Sequence, residues 1–125
     1  MNFQYHLISL VFLMLLSSSV RSQTTQTDQS GKYDTITLQV PGVCNMCKAR
    51  IETTTYDVAG VKSAKWDLDS EVLTAVILKK KTSRQKIADA LAGAGYRSEL
   101  AQADPKAYQK LPACCQYDSG IDKHN

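Results

Sequence analysis

The feature that most constrains this chain is a pair of cysteines, Cys44 and Cys47, set between an extended apolar run and a helical pattern. Ahead of them, Ile36, Leu38 and Val40 alternate with Thr35, Thr37 and Gln39, the period-two signature of a half-buried strand. Pro41-Gly42 ends that strand. Behind them, Cys47, Ile51, Thr54/Thr55 and Val58 recur at helical spacing, with Asn45 placed as the N-cap and Gly60 as the C′ stop. A thiol at the mouth of a helix meets unpaired backbone N–H groups and the positive end of the helix dipole, which lower its pKa. Lys48 and Arg50 add positive charge nearby. Two such thiols suit a soft metal ion, because thiolates select ions such as Cu(I) and Zn(II) over hard cations. The same spacing also serves a thioredoxin-like redox pair or a structural disulfide. Spacing alone leaves all three readings open.

The rest of the chain supplies a scaffold for the pair. Val61 to Leu68 reads as a second strand, with Ala64, Trp66 and Leu68 on one face. Asp69-Ser70-Glu71 is a turn, and Val72 to Leu78 is a nearly continuous β-branched and apolar run, as in a central strand. Thr82-Ser83-Arg84-Gln85 has the form of a capping box, Thr82 answered by Gln85. Ile87, Ala90, Leu91 and Ala94 then make one helical face, closed by Gly93 and Gly95. Tyr96 to Leu100 is expected as a short fourth strand. The order β-α-β-β-α-β predicts an α+β, ferredoxin-like sandwich: a four-stranded antiparallel sheet with two helices on one face.

Both ends lie outside this unit. Met1 to His6 is short and polar, Leu7 to Leu16 is apolar, and Ser17 to Ser22 is rich in small residues. The apolar run falls short of the roughly 20 residues that span a bilayer, so residues 1–22 read as a secretory signal peptide. Cleavage is expected after Ser22, with Ser19 or an uncleaved anchor as the alternatives. Residues 23–32, polar up to Gly31, read as a flexible leader. The organisation predicted is a signal peptide at 1–22, a leader at 23–32, a domain at 33–100 and an extension at 101–125. In the extension, Asp104-Pro105 is placed as N-cap and N1 of a short helix to Lys110. Leu111-Pro112 breaks it, and Gln116 to Asn125 is a polar tail.

Charge and composition exclude some functions. The formal charge of the 125-residue chain is +3. Removing residues 1–22 leaves 14 basic against 12 acidic residues, a formal +2. Basic and acidic residues interleave, and Lys79-Lys80-Lys81 is the only basic run, so nucleic acid is not an expected partner. No carboxylate pair, catalytic base or phosphate loop is visible, and no enzyme activity is expected.

The four cysteines form two tight pairs, Cys44/Cys47 and Cys114/Cys115. Adjacent Cα atoms lie about 3.8 Å apart, below the usual disulfide range, so a Cys114–Cys115 bridge would be strained. The reach of residues 101–113 is enough to bring the second pair back over a small domain, up to about 40 Å if extended. If it returns, Cys44, Cys47, Cys114 and Cys115 would form a Cys₄ site suited to Zn(II) or Cd(II). If it does not, it would capture metal separately or link two molecules. His124 falls in the polar tail.

Gly42-Val43-Cys44-Asn45-Met46-Cys47 with Ile51 and Glu52, then Gly60-Val61, then Gly95-Tyr96, resembles the heavy-metal-associated domain family. These are the small domains of copper chaperones, of the N-terminal tails of metal-transporting ATPases and of a periplasmic mercuric-ion-binding protein. The resemblance covers about residues 33–100. One departure stands out: the family usually places two residues, the first of them Met, between its glycine and first cysteine, and here Val43 stands alone. The resemblance implies Cys44 and Cys47 as ligands of Cu(I) or Hg(II). Tyr96 is implied as a residue behind the metal loop, with a plain core aromatic as the equal alternative. Met46, between the cysteines, offers a thioether by its position, but a packing or solvent-facing residue is the favoured reading for it. The resemblance further implies exchange of the ion with a metal-transporting membrane protein or another metal-binding domain. A monomer is expected, with a metal- or disulfide-linked dimer as the alternative. The signal-peptide pattern of residues 1–22 makes the expected location secreted, the bacterial periplasm. The competing expectation is a thiol–disulfide oxidoreductase using the same pair.

Overall fold

The computed structural model describes residues 31–124. The expected signal peptide lies outside the described residues, as does the leader up to Ser30. Three strands, β1 (Tyr33–Gln39), β2 (Val61–Trp66) and β3 (Val72–Leu78), form an antiparallel sheet in the order β1-β3-β2. The register pairs Ile36 with Ala75, Leu38 with Leu73 and Trp66 with Leu73. One face of the sheet is therefore lined by Ile36, Leu38, Leu73, Ala75, Ile77 and Trp66, all buried. The threonines of β1 at 35 and 37 point to the exposed side. β3 is the central strand, paired on both edges, and its burial alternates: Leu73, Ala75 and Ile77 are buried, Val72, Val76 and Leu78 are half-buried and Thr74 is exposed.

Two helices complete the core. Helix α1 (Asn45–Tyr56) buries Cys47, Ile51 and Thr55 and packs on β2. Helix α2 (Arg84–Gly93) buries Ile87, Ala88 and Leu91 and packs on α1 and β1. The caps differ by one residue from expectation at both helices. Ser83, not Thr82, caps α2, its hydroxyl accepting from the Lys86 N–H. Cys44, not Asn45, caps α1. In each case the residue with extended backbone immediately before the helix takes the role, as cap geometry requires. Beyond α2 the chain forms the short helix α3 (Pro105–Gln109), capped by Asp104 with Pro105 in its first turn. A 3₁₀ turn follows at Ala113–Cys115.

The expected fourth strand at 96–100 does not form; the sheet of the described residues has three strands. After Tyr96 the chain turns on itself. The Ser98 N–H donates to the Ala101 carbonyl, and the Leu100 N–H donates to Ser98 Oγ. The outer edge of β1 meets side chains in place of a strand. The Gln39 N–H donates to the Glu99 carboxylate (2.8 Å) and Arg84 Nε–H donates to the Thr37 carbonyl (2.6 Å). Arg84 and Glu99 are themselves an ion pair. The result is an α+β unit consistent with a ferredoxin-like plan, one edge of which is completed by a side-chain pair.

Candidate metal centre

The loop between β1 and α1 is built on Trp66. The indole is fully buried, and its Nε1–H donates to the Val40 carbonyl (2.9 Å), fixing the end of β1. Its ring lies directly under Gly42: a Cβ there would stand 2.8 Å from the ring and 3.2 Å from Cys47 Cβ. Only glycine lets the loop come that close. The backbone of Trp66 is held in turn by α1, its N–H donating to Glu52 (2.8 Å) and its carbonyl accepting from Lys48 (2.7 Å). Lys48 and Glu52 pair with each other one helical turn apart. Val43 is buried in the core beside this loop.

Cys44 has extended backbone, and its Sγ accepts from the Cys47 N–H (3.4 Å). The thiol thus occupies the place that a serine or aspartate oxygen takes at other helix starts. Cys47 lies in the first turn, and the two Sγ atoms are 3.2 Å apart. The extension returns to this point. Cys115 Sγ lies 3.8 Å from Cys44 Sγ, and the three sulfurs of Cys44, Cys47 and Cys115 all fall within 4.8 Å of one another. Cys47 and Cys115 are fully buried and Cys44 is 4% exposed. Cys114 stands apart and half-buried, its Sγ 4.0 Å from Met46 Sδ. The four-cysteine arrangement is therefore not what the structure assembles; three sulfurs meet and the fourth faces the exposed Met46. The reason is local. Successive residues of a 3₁₀ turn diverge by about a third of a revolution, so neighbours at 114 and 115 cannot both aim into one site.

Tyr96 is fully buried, and its hydroxyl has no hydrogen-bond partner among the described residues. Burial first, then the charges of Cys47 and Cys115, suppress its ionisation. It is both a core aromatic and a polar group next to the sulfurs. His124 also returns: its N–H donates to the Val43 carbonyl (2.7 Å), a bridge alongside Cys44. Its ring contacts the Asp122 carbonyl instead of the sulfurs.

The three thiols titrate differently. Burial pushes the Cys44 thiol up, but the Cys47 amide and the neighbouring thiols of Cys47 and Cys115 bring it below its ordinary value. Burial holds Cys47 above its ordinary value despite backbone bonding from Val43. Burial, then Cys47 and Cys44, push Cys115 up. A thiol whose pKa is raised in the folded state stays protonated while its unfolded counterpart ionises. The stability this confers is complete below the unfolded value and is lost as pH rises through the folded one. Cys47 and Cys115 outnumber Cys44 in this respect. The reduced, metal-free protein is expected to lose stability progressively above pH 9, the unperturbed thiol value. Thermal melts across the alkaline range check this, and Cys115→Ala should flatten the dependence.

What anchors the extension is legible in its contacts. Gly95 follows α2 with φ +95°. Its N–H bonds to the Ala92 carbonyl and the Tyr96 N–H to the Leu91 carbonyl, the paired bonds of a Schellman close. A Cβ at Gly95 would lie 2.9 Å from the Tyr108 amide nitrogen and 3.0 Å from the Ala107 carbonyl, so α3 packs where only glycine leaves room. The Asp104 N–H donates to the Ala92 carbonyl. Tyr117 Oη–H donates to the Gly95 carbonyl (2.8 Å) and accepts from the Arg97 N–H (3.1 Å). Its ring stacks on Tyr96 and meets Tyr108 edge-on. Arg97 lies over the same ring and pairs with Asp118. Lys123 reaches the turn between β2 and β3, at Asp69 and Glu71. Sequence reasoning missed this anchorage; the signal available was the pair of tyrosines, Tyr108 and Tyr117, in a segment otherwise polar enough to be left free.

Comparison with known proteins places this architecture. No family profile and no curated protein matches the sequence. Among solved structures, oxidized MerP from Ralstonia metallidurans CH34 is 32% identical, with TM-score 0.52, and the match covers 56% of this chain and 99% of that one. The CopZ metallochaperone is 26% identical, with TM-score 0.50, over 52% of this chain and 98% of that one. The water-soluble region of the P-type ATPase CopA from Bacillus subtilis is 28% identical, with TM-score 0.50, over 54% of this chain and 45% of that one.

Proposed function

Because the chain belongs to the heavy-metal-associated domain family, we propose that its β1–α1 loop binds one soft metal ion, Cu(I) or Hg(II), through the thiolates of Cys44 and Cys47. The observation that carries this is the placement of the two sulfurs 3.2 Å apart at the N-terminus of α1. There the backbone and the helix dipole favour the negative charge of a bis-thiolate complex. The donor set fits: the sulfurs converge, a lowered pKa readies Cys44 as the first thiolate, and soft donors select soft ions.

The ion is cargo, passed on by ligand exchange. An incoming thiolate of the recipient forms a bond to the metal as a bond to Cys44 or Cys47 breaks, until both have been replaced. The recipient we propose is a metal-transporting membrane protein or another domain of the same fold. The likeness to a soluble region of the P-type ATPase CopA supports that choice. Residues 1–22 carry the pattern of a secretory signal peptide, and no helix of the described residues is long and apolar enough to cross a membrane. The signal-peptide pattern is what supports a protein exported to the periplasm.

The test is an anaerobic titration of the reduced protein with Cu(I), and separately with Hg(II), against a competing chelator. Wild type is expected to bind at least one of the two tightly, and the double variant Cys44→Ser/Cys47→Ser to lose that binding altogether. Tight binding retained by the double variant, or none in wild type, overturns the assignment.

A further inference from the structure

We propose that Cys115 is a third thiolate ligand of this site, so that the extension closes a three-sulfur cage around the ion; this rests on the soft-metal reading above. An ion about 2.3 Å from each of three sulfurs holds them about 4 Å apart in a trigonal plane. The observed separations of 3.2 and 3.8 Å, within an overall span of 4.8 Å, need only small adjustments to meet that geometry. Among the described residues no histidine or carboxylate joins the three sulfurs, and Cys114 faces Met46. The site is therefore three-coordinate in protein ligands, not the four-ligand shell of a structural zinc site.

A buried cysteine can be a small apolar filler and nothing more. Two features speak for more than that here. The first is company: Cys115 is fully buried against two other sulfurs, its Sγ 3.8 Å from that of Cys44. The second is how firmly the segment is held. Gly95, Asp104, Tyr108, Tyr117 and Asp118 fasten the extension on both sides of Cys115, and ordering such a segment costs conformational entropy.

Charge then decides which ions gain most. Three thiolates around Cu(I) leave two net negative charges in a site hidden from water. Around Hg(II) they leave one. Burying charge is costly unless it is compensated, so the closed site favours the divalent soft ion.

The experiment is X-ray absorption on wild type, Cys115→Ser and Cys114→Ser, each loaded with one equivalent of Hg(II), with affinities from chelator competition. Three sulfur neighbours are expected in wild type and in Cys114→Ser, and two in Cys115→Ser. The affinity of Cys115→Ser should fall by at least roughly tenfold, the smallest loss typical even for a residue that only supports a ligand, that of Cys114→Ser little. Cys115→Ala repeats the measurement without a buried hydroxyl, and the wild-type spectrum stands even if neither variant folds. Two sulfurs in wild type, or undiminished affinity in both Cys115 variants, overturns the third ligand and leaves the two-cysteine carrier intact. Failure of wild type to bind Hg(II) overturns the cage along with its premise for this ion.

Discussion

Trp66→Ala is expected to destabilise the protein by about 4 kcal/mol, the range for removing a fully buried aromatic side chain. For a domain of this size that corresponds to a fall in melting temperature of roughly 20 °C. The indole fills the space below the β1–α1 loop. Gly42 rests on its ring, Cys47 Cβ stands beside that contact, and its Nε1–H holds the Val40 carbonyl. Alanine leaves both a cavity and an unpaired carbonyl. Because the cavity opens beneath the cysteines, binding should weaken along with stability. Trp66→Phe separates the two contributions. It restores most of the volume while leaving the Val40 carbonyl unpaired, and should recover well over half of the lost melting temperature. Calorimetry of the two variants, each with and without the soft ion, reads both effects. A Trp66→Ala protein melting within a few degrees of wild type would show that the loop does not depend on the indole.

Gly95→Ala is the second large effect, with an expected cost of about 3 kcal/mol. Part is the strain of a side chain at φ +95°. The rest is collision with backbone, since a Cβ would lie 2.9–3.0 Å from the amide of Tyr108 and the carbonyl of Ala107. Backbone cannot rotate away as a flexible side chain can, so α3 must shift. The same displacement strains the Tyr117 hydroxyl bond to the Gly95 carbonyl and pulls on Cys115. The variant should melt roughly 15 °C lower, and its Cys115 thiol should react with an alkylating reagent from which wild type shields it. Limited proteolysis should cut the variant first within residues 101–124. Wild-type melting combined with wild-type thiol protection would mean that the extension is not seated through Gly95.

Period-two alternation in β1 and the helical spacing of Cys47, Ile51 and Thr55 are local signals, and the elements they imply are present. Residues 96–100 were harder. Tyr96 and Ser98 are buried while Leu100 is 37% exposed, so the apolar pattern of a strand is broken at its last position. Whether the edge of β1 receives a backbone or side chains depends on Arg84 and Glu99 meeting across 15 positions of sequence, which no local pattern encodes. The two cap positions were off by one because Cys44 and Asn45, or Thr82 and Ser83, are both able to cap. The choice falls to whichever has extended backbone in the finished fold.

The site was partly legible for the same reason. Cys44 and Cys47 are near in sequence, and their meeting follows from one helix start. Cys115 is 68 residues beyond Cys47, and chain length permitted its return without requiring it. The information that selects the return is spread over Gly95, Tyr108, Tyr117 and Arg97, each ordinary by itself. Cys114 and Cys115 could not be told apart before the 3₁₀ turn at Ala113–Cys115 gave them different directions.

The ion pair along the outer margin of β1 has a further consequence. A bare strand margin presents free donors and acceptors to any other strand that drifts by, and identical copies are always the nearest candidates. At Thr37 and Gln39 those groups already have partners in Arg84 and Glu99, and both partners are charged. A second chain arriving there would have to displace an ion pair before forming its first rung. The fold thus replaces a missing strand with a barrier to runaway stacking, protecting the same margin that the shortened sheet would otherwise leave open.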